Sequence, residues 1–337
     1  MRLSDFDYDL PAELIAQEPI KNRDMSRLLV VRRSGGTLEH RGFGDIVELL
    51  EPGDVLVLND TRVTAKRLWG RKETGARVEI LALRKLSAGR YEAMIKPGRR
   101  AQVGAEIIVG DGALKAQVVE RTDFGGRIIE FAPVADADNL IDELGEVPLP
   151  PYIHKPLGDR ERYQTVYARR EGSAAAPTAG LHFTPALLDK IRARGVRTAF
   201  VTLDVGIATF RPVCCDNVLD HDMHSEAFSV SEESAEAINS REGRIVVVGT
   251  TTARALESAA VGKGRVGPST GSTGLFITPG YEFKAVDALL TNFHMPRSTL
   301  LILVSALAGR DLILRAYAEA VEQRYRFLSF GDAMFIE

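Results

Sequence analysis

Residues 244–252 read R-I-V-V-V-G-T-T-T, and this stretch decides the class of fold. The short run of β-branched apolar residues before Gly249 is typical of a strand that is buried on both faces. After the three threonines, Ala255, Leu256 and Ala259 recur at helical spacing. A buried strand that turns at once into a helix is the repeating unit of α/β proteins.

Two earlier stretches, 54–59 and 197–203, are also short and apolar and predict further buried strands. Residues 184–195 predict a helix, because threonine stands at the N-cap, proline at the first helical position and glycine beyond the end. The glycine-, serine- and threonine-rich segment 261–274 predicts a flexible loop. Alternating strands and helices therefore predict an α/β fold in which helices pack outside a sheet or a barrel.

A different pattern begins near residue 69 and ends near residue 146. Short alternating runs at 77–83, 91–95, 106–109 and 127–131 are separated by glycine turns. Such period-two runs predict a small antiparallel β-barrel, and the proline-rich 148–152 that follows resembles a linker. We therefore expect an α/β main domain made of residues 1–66 and 152–337, with a β-barrel domain inserted at 67–151.

Residues 174–183, A-A-A-P-T-A-G-L-H-F, carry almost no side-chain bulk before the histidine. Small residues allow another group to approach the backbone closely. The imidazole of His182 and the helix start at Thr184 follow directly. We expect this segment to form one wall of a small-molecule site.

Polar groups also cluster where the predicted strands end, which is where α/β sheets bind ligands. These clusters are 59–62, 209–212, 250–254 and 292–296. Each one alone is equally consistent with a capped turn. Four of them in one domain, beside the small-residue segment, favour a site.

The run H-D-M-H-S-E at 221–226 allows three interpretations. Two imidazoles and a carboxylate could bind zinc, but the spacing differs from the helical H-E-x-x-H pattern. The run could also be a buried polar turn. We favour an acid–base role for His224 and Glu226, because histidine transfers protons near neutral pH, and we expect no metal.

The phosphate-binding loop G-x-x-x-x-G-K-[ST] is missing from the sequence. The G-x-G-x-x-G string at 262–267 lies in the predicted flexible loop and does not link a predicted strand to a helix. Nucleotide phosphates and dinucleotides are therefore disfavoured as ligands. Charge suggests another partner: residues 60–100 hold twelve basic and four acidic residues, whereas 101–150 hold three basic and ten acidic ones.

The basic window includes Lys96, Arg99 and Arg100, and near the C-terminus Arg324 and Arg326 alternate with aromatic residues. Such patterns are typical of RNA binding, although a solvated charged face would look the same.

The 337 residues carry a formal net charge of -3 and only two cysteines. We therefore expect reduced thiols and no general attraction to nucleic acid. The acidic first ten residues lack the apolar core of a secretory signal, and the apolar run at 300–307 is shorter than a membrane span. These features predict a cytoplasmic protein.

Taken together, the motifs resemble the S-adenosylmethionine:tRNA ribosyltransferase-isomerase family of queuosine biosynthesis. The resemblance starts at D-F-D-Y-D-L-P (5–11) and covers nearly the whole chain. It continues through 15–19, 58–63, 148–153, 162–168, 174–183, 209–213, 223–226, 249–254, 291–294, 326–327 and 330–334.

This chain departs from the family pattern at three places. Asp204 stands where a histidine is expected, Ala208 where a glycine is expected, and Gly274 where an acidic residue is expected. The first departure argues against an essential imidazole at position 204.

The resemblance implies a barrel-like α/β main domain with a β-barrel insertion, and it implies a reaction. The ribosyl part of S-adenosylmethionine is transferred to the aminomethyl group of 7-aminomethyl-7-deazaguanine at the wobble position of tRNAs with G-U-N anticodons. Adenine and methionine leave, and an epoxy-cyclopentanediol forms. The protein would act as a monomer on S-adenosylmethionine as co-substrate, without a metal.

This chemistry needs a base beside the sulfonium and a neutral acceptor amine. We expect His182 or His224 to carry the proton, Glu226 to orient it, and Asp60 or Asp332 to hold hydroxyls or the amine. The expected S-adenosylmethionine site comprises Ala175, Ala176, Pro177, Thr178, Ala179, Gly180, Thr209, Phe210, Arg211, Thr250, Thr251 and Arg254. The expected tRNA site comprises Arg62, Lys96, Arg99, Arg100, Asn292, His294, Arg324 and Arg326. Within these sets, Arg62, Arg211 and Arg254 are candidates for the methionine carboxylate or for tRNA phosphates.

Two alternatives belong to other classes. One is an S-adenosylmethionine-dependent RNA methyltransferase, which would yield S-adenosylhomocysteine. The other is a non-catalytic tRNA-binding protein, which would release no adenine.

Overall fold

A computed structural model describes residues 1–122, 125–206, 213 and 215–337, except for the side chain of Arg100. The chain divides into two compact units. Unit 1 comprises Met1–Thr61, Pro150–Arg170 and Ala176–Glu337, and unit 2 comprises Arg62–Leu149 and Glu171–Ala175. The switch between units therefore falls at residues 61–62 and 149–150, and a short second segment of unit 2 precedes Ala176.

The strands of the described residues, in chain order, are β1 (Arg27–Arg32), β2 (Thr37–Gly42), β3 (Val55–Asn59), β4 (Thr61–Val63), β5 (Lys66–Arg71), β6 (Arg77–Ser87), β7 (Arg90–Lys96), β8 (Glu106–Val109), β9 (Leu114–Arg121), β10 (Arg127–Ala132), β11 (Arg170–Ser173), β12 (Arg197–Leu203), β13 (Glu226–Val230), β14 (Ile245–Val248), β15 (Ala260–Gly262), β16 (Arg265–Val266), β17 (Ser269–Thr273), β18 (Ala288–Asn292) and β19 (Ala333–Ile336). The α-helices are α1 (Ile46–Leu49), α2 (Ala137–Leu144), α3 (Pro185–Ala193), α4 (Glu232–Asn239), α5 (Thr250–Ala259), α6 (Thr299–Ala308) and α7 (Arg310–Glu322). A 3-10 helix spans Thr178–His182.

Unit 1 is built on a mixed sheet with the strand order β17-β13-β12-β3-β14-β18-β19-β1-β2. The central strands β12, β3, β14 and β18 are parallel to their neighbours in this group. Every residue of β3, β14 and β18 is buried, as expected for parallel strands covered on both faces. The predicted α/β class is therefore confirmed, and the strands predicted at 54–59, 197–203 and 244–249 are β3, β12 and β14. Among the described residues, the strands of unit 1 form a nine-stranded sheet and not the expected barrel-like arrangement.

One face of this sheet packs against α3. Leu56 and Leu58 of β3 share a core cluster with Leu187, Leu188 and Ile191 of α3. The helix begins where the sequence predicts, because the Thr184 hydroxyl accepts a hydrogen bond from the backbone N–H of Leu187 at 3.2 Å. The helix thereby covers the apolar side chains of alternate strand residues, which lie on one face of the sheet.

The prediction of a flexible loop at 261–274 is wrong. Ser269–Thr273 forms β17, which pairs antiparallel with β13 at the edge of the large sheet. Ala260–Gly262 and Arg265–Val266 pair with each other as β15 and β16. Backbone pairing with a neighbouring strand outweighs the low strand propensity of glycine and serine here.

Unit 2 contains a closed barrel with the strand order β10-β7-β6-β5-β8-β9, so the predicted antiparallel β-barrel is confirmed. Its core includes Leu68, Ile80, Ile107 and Phe131. Alternating residues of each strand point inward, which is why the sequence shows period-two runs. Separately, β4 and β11 form a two-stranded sheet.

The barrel also pairs the two oppositely charged windows of the sequence. Lys66 lies 2.9 Å from Asp142, and Lys85 lies 2.6 Å from Asp138. Arg90 lies 3.7 Å from Glu130. The charge contrast along the chain is thus partly neutralised within unit 2, which the one-dimensional sequence could not indicate.

None of the helices in the described ranges is long and apolar enough to cross a membrane. Cys215 carries a free thiol. Cys214 lies outside the described residues.

Candidate functional site

Unit 1 contains a cavity of about 690 Å³ at the carboxyl ends of its central strands. Its walls are mostly apolar, with Tyr152, Phe293 and Leu328 among the lining residues. Polar groups come from Thr250, Thr251 and Asn292, among others. A cavity of this size with apolar walls and a few polar groups is typical of a small-molecule site.

The topology explains why the cavity lies there. The chain leaves β3 towards β12 on one side, and later enters β14 on the other side of β3. Such a change of direction opens a crevice between the carboxyl ends of two adjacent strands, and ligands of α/β proteins bind in such crevices. Gly249, at the end of β14, lines the cavity and adopts a φ of 90°, which glycine accommodates without strain.

The small-residue segment predicted as a wall contributes Ala176, Pro177, Thr178 and Ala179 to the lining. Gly180 serves a different contact. A Cβ atom at Gly180 would lie 2.0 Å from the Tyr167 hydroxyl oxygen and 2.9 Å from Cγ2 of Thr165. The close approach that the glycine permits at this position is therefore made by a tyrosine of the same unit.

His182 is fully buried and lies outside the cavity lining formed by the described residues. Its Nδ1 lies 2.7 Å from the Ser26 hydroxyl, which itself donates to the Arg23 carbonyl oxygen at 2.9 Å. Its Nε2 lies 3.3 Å from the Arg23 guanidinium and 3.1 Å from the Asn292 amide nitrogen. Since both of those groups donate hydrogen bonds, Nε2 accepts and Nδ1 carries the proton.

The ring of His182 also stacks on Phe43 with the ring centroids 4.7 Å apart. Burial, with the Arg23 charge nearby, lowers the pKa of His182 well below its usual range. The imidazole is therefore neutral, and it holds the guanidinium and the amide in place.

Asn292 links His182 to the cavity. Its side-chain oxygen accepts a hydrogen bond from the Thr178 hydroxyl at 3.0 Å, and its amide nitrogen faces His182. Asn292 and Thr178 both line the cavity. A neutral, accepting Nε2 on His182 thus fixes which way the Asn292 amide is turned.

His294 also lines the cavity but is buried. Its Nε2 lies 3.0 Å from the Thr291 hydroxyl, and its backbone N–H donates to the Tyr317 hydroxyl at 2.9 Å. Burial lowers the pKa of His294 to about 3. This imidazole is therefore neutral across the physiological pH range.

A second polar cluster joins His224, Glu226 and Arg254. Nε2 of His224 lies 3.4 Å from Oε1 of Glu226, and the Glu226 carboxylate also pairs with the Arg254 guanidinium. The backbone N–H of Gly206 donates to Oε1 of Glu226 at 2.9 Å. Gly206 directly follows Val205, which lines the cavity.

Burial raises the pKa of Glu226, but its hydrogen bond to His224, the Arg254 charge and the Gly206 N–H outweigh burial and lower it. Glu226 therefore remains a carboxylate at neutral pH. The side chain of Glu226 is only 1% exposed, whereas that of His224 is 23% exposed. His224 thus combines a buried anionic partner with access to the surface.

Asp60 and Asp204 lie near this cluster, outside the cavity lining formed by the described residues. Asp60 accepts hydrogen bonds from Arg169 and from the Thr202 hydroxyl, both at 2.6 Å. Asp204 accepts one from the Thr61 hydroxyl at 2.8 Å. Burial, followed by the charges of Asp60 and Glu226, raises the pKa of Asp204 against the opposing effect of that hydroxyl.

Asp332 lies outside the cavity lining formed by the described residues. Its carboxylate accepts the backbone N–H groups of Arg27 at 2.9 Å and Arg326 at 2.8 Å, and burial raises its pKa. Arg326 donates to the backbone oxygen of Glu18. Arg324 is exposed and lies 4.0 Å from Glu13.

The other predicted site residues lie elsewhere. Thr209, Phe210 and Arg211 lie outside the described residues, as does Ala208. Arg62, Lys96, Arg99, Arg100 and Ala175 belong to unit 2. Lys96 and Arg99 are exposed there.

Sequence reasoning assigned no site role to several lining residues, notably Tyr152, Arg297 and Ser329. Tyr152 stood in a segment interpreted as a linker and as part of a family motif, and Arg297 followed a polar cluster that was cut off at Pro296. Within the described part of the chain, no group of three or more histidine, cysteine, aspartate or glutamate side chains is placed to hold a metal ion.

Comparison with known proteins gives consistent results. The model of a family described as "Queuosine biosynthesis protein" matches residues 3–336. Proteins called S-adenosylmethionine:tRNA ribosyltransferase-isomerase are 58% identical in Symbiobacterium thermophilum and 55% identical in Pelotomaculum thermopropionicum, each over 340 residues and 100% of both chains. A crystal structure of S-adenosylmethionine tRNA ribosyltransferase from Thermotoga maritima is 42% identical, covers 99% of this chain and 100% of that chain, and has a TM-score of 0.57.

Proposed function

Because this chain belongs to the queuosine biosynthesis protein family, we propose that it is an S-adenosylmethionine:tRNA ribosyltransferase-isomerase. The resemblance inferred from the sequence motifs is confirmed by the family match. The enzyme transfers and isomerises the ribosyl group of S-adenosylmethionine onto the aminomethyl group of 7-aminomethyl-7-deazaguanine in tRNA. The products are epoxyqueuosine-containing tRNA, adenine and methionine.

The observation that carries this function is the match over the entire length of both chains at more than half identity. The cavity agrees with it, because a donor with an adenine ring and an amino-acid tail needs apolar walls and a few fixed polar groups. S-adenosylmethionine would occupy this cavity as a substrate.

The reaction begins with removal of a proton from the ribose methylene group beside the sulfonium. The positive sulfur makes the protons on that carbon more acidic. For this step we propose His224, with Glu226 as the positioning residue. Support comes from the 3.4 Å approach of the two side chains and from the carboxylate character of Glu226, which can accept a hydrogen bond from the imidazole and so orient it. Access supports the same choice, because His224 is partly exposed whereas both ring nitrogens of His182 are engaged.

His182 has a different part in this proposal. It orients Asn292, whose amide oxygen then holds the Thr178 hydroxyl at the cavity wall. Asp332 ties the backbone at Arg27 to that at Arg326 and so supports the same wall from behind. Both residues would act through neighbours that contact the substrate.

The tRNA would be the G-U-N anticodon type that carries the deazaguanine precursor. Within unit 2, exposed Lys96 and Arg99 offer cations for its phosphates. Within unit 1, exposed Arg324 is a separate candidate for such a contact. We place the reaction in the cytoplasm, with a monomer as the active species.

The direct test incubates the protein with S-adenosylmethionine and with tRNA carrying the aminomethyl precursor, and follows adenine by chromatography. The proposal predicts equal amounts of adenine and methionine, with release that depends on the precursor base. S-adenosylhomocysteine instead of adenine would indicate a methyltransferase. No release from S-adenosylmethionine would indicate a non-catalytic tRNA-binding protein.

A further inference from the structure

The first turn of α5 lacks a side-chain cap, unlike those of α3, α4 and α6. The N-cap of α5 is Gly249, whereas Thr184, Ser231 and Ser298 each accept a backbone N–H at the start of their helices. The backbone N–H groups of Thr250, Thr251 and Thr252 make no hydrogen bond to the residues that the structure describes. Three donors and the positive end of a helix dipole are thus left without an acceptor.

A second feature points to a ligand at the same place. Thr250 is 5% exposed and lines the cavity, yet its hydroxyl forms no hydrogen bond within the described ranges. The other two threonines of the turn differ, because the Thr252 hydroxyl donates to the Val248 carbonyl oxygen and the Thr251 hydroxyl accepts a long bond from Asn59. This hydroxyl therefore faces the cavity without an acceptor among the described residues, so a bound molecule there can supply one.

The charges nearby favour a small monoanion. Arg254, on the same helix, is committed to Glu226 and to the backbone oxygens of Leu275 and Thr273. Arg297, which lines the cavity, pairs with Asp7. The helix terminus itself supplies about half a unit of positive charge, which suits a single carboxylate.

We propose that the first turn of α5, through these three N–H groups and the Thr250 hydroxyl, binds the α-carboxylate of the methionine part of S-adenosylmethionine. This inference rests on the proposed function and makes it more specific. It assigns the carboxylate to a helix terminus, whereas the sequence suggested the arginines at 62, 211 and 254. The amino-acid tail would then lie in the crevice between β3 and β14.

The test measures equilibrium binding of two donors without tRNA: S-adenosylmethionine and its decarboxylated analogue, which keeps the amine and lacks the carboxylate. We expect the wild type to bind the analogue at least about tenfold more weakly, since hydrogen bonds to a charged group are lost. Thr250→Val should lower the affinity for S-adenosylmethionine roughly tenfold and leave the affinity for the analogue unchanged. Thr299→Val makes the same change at the first position of the capped helix α6 and should alter neither affinity.

Denaturation in urea distinguishes binding from a structural role. Because the Thr250 hydroxyl has no partner among the described residues, Thr250→Val should leave the stability of the ligand-free protein unchanged or raise it. Equal weakening of both donors, or an unchanged affinity for S-adenosylmethionine, would overturn the inference.

A wild type that releases adenine yet binds both donors equally would overturn the inference and leave the proposed function standing. A wild type that neither binds S-adenosylmethionine nor releases adenine would overturn the proposed function, and the inference with it.

Discussion

Replacement of Glu226 by glutamine tests the buried cluster that we place at the centre of proton transfer. In the wild type the carboxylate pairs with Arg254, and each of the two residues is only 4% exposed. Glutamine has the same shape but no charge, so the Arg254 guanidinium would be left buried without an anion. Breaking such a pair from one side costs about 3–5 kcal/mol. We expect about 3 kcal/mol, because the glutamine oxygen can still accept the Gly206 N–H.

The loss should depend on pH in a defined direction. The folded-state pKa of Glu226 lies below its value in the unfolded chain. The ionised pair therefore contributes its full stability above the unfolded carboxyl pKa of about 4.3, and the contribution is lost as the pH falls through the lower folded value. The difference in unfolding free energy between wild type and Glu226→Gln should be constant from pH 7 to pH 5 and shrink below pH 4.

Urea denaturation at several pH values measures the stability, and adenine release measures turnover, which should fall roughly 10²–10³-fold as His224 loses its partner. Glu257→Gln is the matched control. Glu257, on α5, is buried like Glu226. It accepts hydrogen bonds from the Tyr281 hydroxyl at 2.9 Å and from the Ala285 N–H at 2.8 Å, and among the described residues it has no arginine partner. The reasoning is refuted if Glu226→Gln loses less than about 1 kcal/mol at pH 7, or if the control lowers turnover equally.

Three further substitutions test other parts of the account. His224→Gln should lower turnover about 10²–10⁴-fold in the adenine assay without changing S-adenosylmethionine binding. His221→Gln, three residues away, should keep wild-type turnover, and equal losses of turnover in the two variants would contradict the role of His224 in proton transfer. Buried His294 should make the unfolding free energy of the wild type fall by about 1.4 kcal/mol per pH unit from pH 6 to pH 4, because the unfolded histidine gains a proton near pH 6.5 while the folded pKa is about 3. His294→Gln should remove this part of the slope, and identical slopes for the two proteins in urea titrations would contradict the burial of a neutral imidazole. Gly180→Ala should lower the unfolding free energy by about 1–3 kcal/mol, because its Cβ would lie 2.0 Å from the Tyr167 hydroxyl oxygen. Gly262→Ala is the control and should leave stability unchanged, because a Cβ there meets nothing within 4 Å. Adding Tyr167→Phe to Gly180→Ala should restore part of the lost stability.

Local sequence patterns predicted those elements that depend on interactions between residues close together in the chain. Residues 244–252 indicated a strand, a turn and a helix, and they form β14, a glycine with φ of 90° and α5. Thr184 caps α3 as expected, because a capping bond reaches only three residues ahead.

The sequence could not indicate contacts that depend on distant residues. The ring of His182 is enclosed by Arg23, Ser26 and Asn292, which lie 159, 156 and 110 residues away in the chain. Gly180 revealed that some group approaches the backbone, but only the fold identifies that group as Tyr167. The edge strand β17 was missed for the same reason, since its partner β13 supplies the hydrogen bonds that its own residues do not favour.

The central claim is that the ribosyl carbons of S-adenosylmethionine, and not its methyl group, enter the tRNA. The most direct measurement supplies two preparations of the donor, one labelled with ¹³C in the ribose and one in the methyl group, to precursor-containing tRNA. Mass spectrometry of the digested nucleosides then locates the label. The account predicts ribose label in the modified deazaguanine and methyl label only in free methionine. Methyl label in the tRNA, or no label in the nucleoside from either donor, would contradict it.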